Sequence, residues 1–380
     1  MTALTQAPLH VASDPGPIDG LLELSVVVPT FNEARNIPIL VERIDQSLAG
    51  IEWELIVVDD NSPDGTAAIA RELARRDRRV RVLHRVGRRG LASACIEGML
   101  ATSGPCLAVI DGDLQHDETL MPEMLGVLRA GTADCVVGSR YQAEGGVAGW
   151  DERRVSMSRF ATQLAKLLTR VELSDPMSGF FMIRRDAVAP LVPKLSGVGF
   201  KILLDIMLTA HRTLRVAELP YHFRPRERDE SKFDTRAAYD FAYLILDKTI
   251  GRWVPTRFFI FSAIGGLGVV VHLLTVWIMF ALLGMAFITA QIVATLVAMT
   301  SNFLLNNELT YRDRRLRGMG LLRGWVTFAL ACAVGAIANV GIAAQIFAGH
   351  RPWWLAALGG VAVGAVWNYA VTRVYTWSDR

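Results

Sequence analysis

Cysteine is scarce: there are four in 380 residues, and none forms a CxxC pair or a cluster with histidine. That spacing excludes a zinc ribbon and a disulfide framework, leaving Cys95, Cys106, Cys135 and Cys332 as small core residues. Charge is scarce as well, at 20% of residues against 52% hydrophobic, with a mean hydropathy of +0.31. Such a composition disfavours a disordered chain, a collagen-like chain and a strongly basic nucleic-acid binder, and points to a membrane portion. Residues 1–20 lack the basic start and apolar core of a signal peptide and carry Pro8, Pro15, Gly16, Pro17 and Gly20, so 1–21 reads as a flexible polar tail. Lysine is absent from residues 258–380, where eight arginines face Glu308, Asp313 and Asp379, a net of +5. The first 257 residues hold 32 basic and 34 acidic side chains. The asymmetry separates a charge-balanced globular part from a basic, charge-sparse membrane part.

What is present in the first part is a series of short β-branched runs separated by helical stretches. Strands are expected at 24–29, 54–59, 80–84, 106–111 and 135–140, with helices at 34–49, 66–76, 91–102 and 121–130. That alternation is the pattern of a parallel sheet with crossover helices, whose ligands bind along the edge where the strands end. Past Tyr141 the regularity weakens. A basic helix is expected at 153–170, with Arg153, Arg154, Arg159, Lys166 and Arg170 among apolar residues. A second, at 236–250, sets Phe241, Leu244 and Ile245 opposite Asp240, Asp247 and Lys248. Each reads either as a helix packed on the sheet or as one lying on a membrane surface; the second runs directly into the apolar part, which favours the membrane.

Four spans of about 20 residues fit near 258–280, 286–305, 321–347 and 353–371. The connector between the second and third carries Arg312, Arg314, Arg315, Arg317 and Arg323, whereas the opposite loops carry only Arg351. The positive-inside rule then puts that connector, both termini and the whole first domain in the cytoplasm. Residues 301–306 with Thr310-Tyr311 echo residues 367–372 with Thr376-Trp377, as a duplicated hairpin would. Asn302, Asn306, Asn307, Glu308 and Asn368 fall near membrane depth, either lining a polar path or marking the interface.

The strongest local signal is Asp111-Gly112-Asp113-Leu114-Gln115-His116 at a strand end. Two carboxylates at i and i+2, with Gln115 adding a neutral oxygen, suit one hard ion such as Mg²⁺ or Mn²⁺ whose other positions are filled by substrate phosphates. His116 reads as a supporting or turn residue ahead of a general base. Three further strand ends agree with this reading: Val26 to Glu33 (VVVPTFNE), Val57 to Thr66 (VVDDNSPDGT) and Val137 to Tyr141 (VGSRY). Asp59 or Asp60 suits a base or ribose better than a phosphate, and Arg140 suits a phosphate. No GxGxxG or GxxxxGK[ST] stands at these ends, so neither a dinucleotide fold nor a P-loop is supported.

VVPTFNE, VDDNSPDGT, DGDLQH, GSRY, DPMSGF and GFK, in that order over residues 22–233, resemble the family 2 glycosyltransferases that make polyprenol-phosphate sugars, the dolichol-phosphate mannosyltransferase group. RFFIFSAIGG and SNFLLNNELTY resemble a GtrA-like four-helix domain. The resemblance implies an α/β, GT-A-type (Rossmann-like) nucleotide-sugar domain followed by an all-α transmembrane domain. Its boundaries are a tail at 1–21, the transferase at 22–235, an interfacial helix and linker at 236–257 and the membrane domain at 258–380. It also implies that Pro29, Phe31, Glu33, Val58 and Asp59 or Asp60 border the nucleotide, and that Asp111, Gly112 and Asp113 meet the donor. Asp111, Asp113 and Gln115 match metal positions, and Arg140 a motif near the donor. Arg154 and Ser158 match positions that hold the lipid phosphate; Lys201, Arg226 and Lys232 match basic residues around the diphosphate. Phe31 stands where Tyr is common and Asp229 where Gly is usual.

The implied activity is transfer of a hexose, mannose from GDP-mannose ahead of a UDP-sugar such as UDP-glucose, to a polyprenyl phosphate at the cytoplasmic face of the membrane. The metal and nearby cations would stabilise the departing diphosphate, and direct attack on C1 would invert the anomeric centre. The acceptor phosphate is already anionic, so positioning against Arg154 and Ser158 replaces a strong base. Asp113 and Arg140 complete the expected catalytic set. A processive polysaccharide synthase is disfavoured by the lack of a QxxRW motif, and a transporter by the intact acidic motifs, with flipping of the product by the spans left open. Nucleic acid is not an expected partner; the bilayer is, and a homo-oligomer is compatible with the sequence.

Overall fold

The computed structural model describes residues 21–141, 146–147, 173–211, 213–224, 235–251, 253–349 and 353–377. The expected tail and the expected basic helix at 153–170 lie outside the described residues. The chain divides into two compact units, Met1–Lys248 and Thr249–Arg380.

In the first unit, strands β1 (Leu24–Thr30), β2 (Trp53–Asp59), β3 (Val80–His84), β4 (Cys106–Val109) and β5 (Cys135–Ser139) alternate with helices α1 (Asn36–Ser47), α2 (Thr66–Arg76), α3 (Leu91–Ala101) and α4 (Met121–Arg129). Every residue of β1 and β2 is buried, as strands covered on both faces require. Further along come β6 (Gly146–Val147), β7 (Phe181–Arg184), β8 (Val216–Pro220) and β9 (His222–Phe223). The main sheet runs β3-β2-β1-β4-β7-β5-β8, and β6 pairs with β9 in a small second sheet. β3, β2, β1 and β4 are mutually parallel, so their C-terminal ends share one edge. β7 is antiparallel to both β4 and β5, a departure from the all-parallel expectation. The segment leading into β7 therefore returns along the edge where the loops after β4 and β5 emerge.

Helix α5 (Ile202–Ala210) is almost entirely buried and carries Asp205 inside it. Asp205 accepts the Ser196 and Gly197 N–H groups and pairs at 2.6 Å with Lys248 of α6 (Thr235–Thr249). Leu244 of α6 is buried with Leu204 and Leu208 of α5, and Phe241 and Ile245 pack beside it. These apolar positions of α6 thus face protein within the first unit. Cys95, Cys106 and Cys135 are buried, and burial pushes their thiols up, which makes them poor nucleophiles at neutral pH.

Asp134 ties the start of β5 to the strand beside it. It accepts the Arg215 N–H at 3.0 Å and the guanidinium at 2.7 Å, and Arg215 holds its carboxyl down to about 2. A depressed carboxyl pKa stabilises the fold above the unfolded value, and that stabilisation is lost as pH falls from about 4 towards 2. Asp134→Asn is expected to lower the melting temperature at pH 7 by roughly 2–4 °C and to matter little at pH 2; thermal unfolding of the detergent-solubilised protein at both pH values checks this.

The second unit contains helices α7 (Thr256–Val276), α8 (Phe287–Leu305), α9 (Met319–Ala348) and α10 (Trp353–Val371). Among the described residues three stretches are long and apolar enough to cross a membrane: Thr256–Leu282, Phe287–Thr310 and Met319–Ala338. α10 follows where the fourth span is expected. The sequence echo is visible as geometry. A Cβ on Gly268 of α7 would collide with the Asn302 amide of α8, and one on Gly335 of α9 with the Asn368 amide of α10. Asn302 Oδ1 and Asn368 Oδ1 are both buried without a hydrogen-bond partner. Each hairpin ends in a widened π-type turn, at Asn306–Thr310 and Thr372–Thr376. Tyr311 and Trp377, which follow those turns, stack with ring centroids 4.1 Å apart. Three further polar residues near them have partners: Asn306 bonds to Thr310, Asn307 to Leu316 and Trp377, and Glu308 pairs with Arg315.

Candidate active site

The loops after β1 and β2 are knitted together. Asn32 and Asn61 turn the chain with φ of 64° and 56°, a conformation that Asn adopts at low cost. The N–H groups of Asn32, Glu33 and Ala34 donate to Ser62, Thr66 and Asp64 across the gap. Pro29 and Val58 are buried in their strands. Asp59 is fully buried and accepts both the N–H and the hydroxyl of Ser62. Asp60 accepts Arg85 at 2.6 Å and the Gly90 N–H at 2.7 Å; burial pushes its carboxyl up, against the pull of Gly90 and Arg85. Both carboxylates thus anchor loops. Glu33 accepts the Asn36 side chain at 2.6 Å. Phe31 stands 44% exposed, with the Arg89 guanidinium 4.6 Å above its ring.

β4 ends at Val109, two residues short of the expected end, and the acidic turn follows. Leu114 takes φ 62° there, which costs about 1–2 kcal/mol for a residue with a Cβ and is offset by burial of its side chain. The turn lets Asp113 Oδ1 accept the Gln115 N–H at 3.2 Å. Gln115 pairs with Arg224 in both directions, accepting its N–H at 2.9 Å and donating its side-chain amide to its carbonyl at 3.1 Å. Gly112 is buried, with Thr30, Glu33 and Ile37 closing around its α-carbon.

Asp111 is oriented from behind. His116 lies 3.2 Å from its Oδ2 through Nε2 and 2.7 Å from the Tyr221 hydroxyl through Nδ1. Burial pushes the Tyr221 hydroxyl far up, so it stays protonated, and the imidazole bridges that hydroxyl and the Asp111 carboxylate. Phe180, Tyr221 and Phe223 enclose the imidazole. Burial opposes the charge on Asp111, yet His116, Lys201 and Arg140 outweigh it and hold the carboxyl below its ordinary value. Its Oδ1 is buried without a hydrogen-bond partner, an orphaned acceptor of the kind a bound cation satisfies. Among the described residues no group of three or more His, Cys, Asp or Glu side chains forms a ready-made cage. A cation at this turn would rely on Asp111, Asp113, the Gln115 oxygen and ligand oxygens.

Residues 175–180, entering β7, connect the site. Asp175 is fully buried and takes Arg140 in a two-pronged pair at 2.6 and 2.9 Å; burial opposes the Arg140 charge, and Asp175 raises its pKa regardless. The Met177 carbonyl accepts Lys201 Nζ at 3.1 Å. Gly179 lies against the Asp111 carboxylate. One short segment therefore positions the acid and both cations. Asp175 and Gly179 both belong to the DPMSGF motif, and neither shows its partner in any local pattern. Arg154, Ser158, Arg226 and Lys232 lie outside the described residues.

Both parts of the chain resemble known proteins. Residues 25–191 match Glycosyl transferase family 2 and residues 260–377 match the GtrA/DPMS transmembrane domain. A dolichol-phosphate mannosyltransferase of Pyrococcus furiosus is 32% identical over 94% of this chain and 100% of its own length. One from Mycosarcoma maydis is 34% identical over 59% of this chain and 78% of its own. Among solved structures, a glucosyl-3-phosphoglycerate synthase from Mycobacterium tuberculosis, in complex with Mn²⁺, UDP and phosphoglyceric acid, aligns over 60% of this chain and 78% of that one, with a TM-score of 0.49 and 19% identity. The chain belongs to the dolichol-phosphate mannosyltransferases, and in it a family 2 glycosyltransferase domain precedes a GtrA/DPMS transmembrane domain.

Proposed function

We propose that the protein transfers mannose from GDP-mannose to a polyprenyl phosphate, assisted by Mg²⁺ or Mn²⁺, with inversion to a β-linked lipid phosphate. The observation that carries this reading is the orphaned Oδ1 of Asp111 beside Asp113 and Gln115, in a site whose cations are Arg140 and Lys201. Asp111, Asp113 and Gln115 offer the all-oxygen donor set that a hard divalent ion takes. When bound, that ion neutralises charge developing on the departing diphosphate.

The rest falls to the protein. His116 and Tyr221 hold Asp111 ionised and oriented, and Asp175 holds Arg140 charged beside it. With both nitrogens engaged, His116 is poorly placed as a base, and an anionic acceptor phosphate needs none. Arg154 and Ser158 are assigned to that phosphate, and Arg226 and Lys232 with Lys201 to the diphosphate. The transferase domain at 22–235, the linker at 236–257 and both termini of the membrane domain at 258–380 face the cytoplasm in this reading, in keeping with the arginines at 312–323.

Membranes containing the protein, offered a panel of radiolabelled nucleotide sugars, are expected to yield one labelled anionic lipid, from GDP-mannose, and none after chelation of divalent ions. Label taken from UDP-glucose alone would reassign the donor, and no labelled lipid from any donor would overturn the reading.

A further inference from the structure

The loop between β3 and α3 carries three arginines, and two are neutralised. Arg85 is buried against Asp60 at 2.6 Å and Glu97 at 3.3 Å, and Arg88 meets Glu97 at 3.1 Å. Arg89 is exposed and, among the described residues, has no carboxylate partner; its contact is the ring of Phe31 at 4.6 Å. The loop beneath it is fixed from both sides of Gly90, whose N–H donates to Asp60 at 2.7 Å and whose carbonyl accepts Arg85 at 3.2 Å. A cation held over an exposed aromatic ring by a pinned loop is preorganised to meet a ligand.

Strand order says which part of the ligand. The acidic turn follows β4, and the order β3-β2-β1-β4 puts the end of β3 three strand spacings away along the same edge, about 14 Å. With the diphosphate at the acidic turn, as the proposed function has it, an extended nucleoside diphosphate lying along this edge brings its base, not its phosphates, to the end of β3. We propose that Arg89, supported by Phe31, reads the base of the donor nucleotide and selects guanine. Guanine offers two adjacent acceptors, N7 and O6, that match the guanidinium fork, and uracil has no such pair. This inference rests on the nucleotide-sugar reading of the site.

The test measures GDP and UDP affinity by titration calorimetry with Mn²⁺ present, on the full detergent-solubilised chain and on Arg89→Leu and Arg89→Lys. GDP binding is expected to weaken about tenfold in Arg89→Leu, with UDP binding changed less than about twofold, and Arg89→Lys is expected to restore only part of the loss because a point charge lacks the fork. Equal losses for GDP and UDP, an unchanged GDP affinity in Arg89→Leu, or a wild-type protein that prefers UDP would each overturn the proposal. A wild-type protein that binds neither nucleotide would instead overturn the nucleotide-sugar reading beneath it.

Discussion

Asp113→Ala is expected to lower mannosyl transfer by roughly 10²–10³-fold, the scale on which losing one preorganised electrostatic contact to a transition state is felt. Asp113 is half-buried in a turn whose backbone is also held by the Gln115–Arg224 pairing and by buried Leu114, so the turn should survive the loss of one carboxylate. The defect should therefore appear in turnover, with the melting temperature nearly unchanged. Raising Mn²⁺ should recover part of the activity if the residue acts through an ion. Activity within threefold of wild type in a folded variant would remove Asp113 from the mechanism and the metal with it.

Gly179→Ala is expected to cost about a hundredfold in kcat, although it adds one methyl group and no charge. A Cβ at this position would fall onto the Asp111 carboxylate, 3.0 Å from Cγ and 3.2 Å from Oδ1 and closer still to Oδ2. His116 holds the same Oδ2, so Asp111 yields only by breaking the chain to Tyr221. Gly126→Ala in α4 is the matched control, because a Cβ there meets nothing within 4 Å. Its activity should be that of wild type. Steady-state kinetics of both variants at saturating donor and acceptor separate the outcomes, and equal activity of the two would mean that Asp111 tolerates displacement.

Much of this architecture is legible from the residues alone. β1, β2 and β5 are fully buried runs rich in β-branched residues and bounded by polar turns, and such runs declare themselves. Phe181–Arg184 does not, because four residues carry no period, and its antiparallel place between β4 and β5 is decided by pairing with distant strands. The acidic turn is equally plain, since carboxylates at a strand end are conspicuous. What supports it is hidden: Asp175 meets Arg140 35 residues away, and His116 meets Tyr221 105 residues away. Asp60 shows the opposite error of emphasis. An acidic residue at a strand end looks like a ligand-binding group, yet its carboxylate is occupied by Arg85 and Gly90, and only tertiary structure distinguishes the two roles.

The paired hairpins of the second unit carry one more consequence. Gly268 against Asn302 and Gly335 against Asn368 mark two copies of one helical hairpin. A unit with two helices returns the chain to the side on which it began. Two copies of a two-helix unit run in the same sense along the chain, the pattern of a parallel and not of an inverted repeat. The two buried amides then occupy equivalent places in the two copies, and the equivalent residues Tyr311 and Trp377 stack on one another. Duplicating a two-helix unit adds helices in pairs, so an anchor enlarged in this way begins and finishes at the same end of its helices.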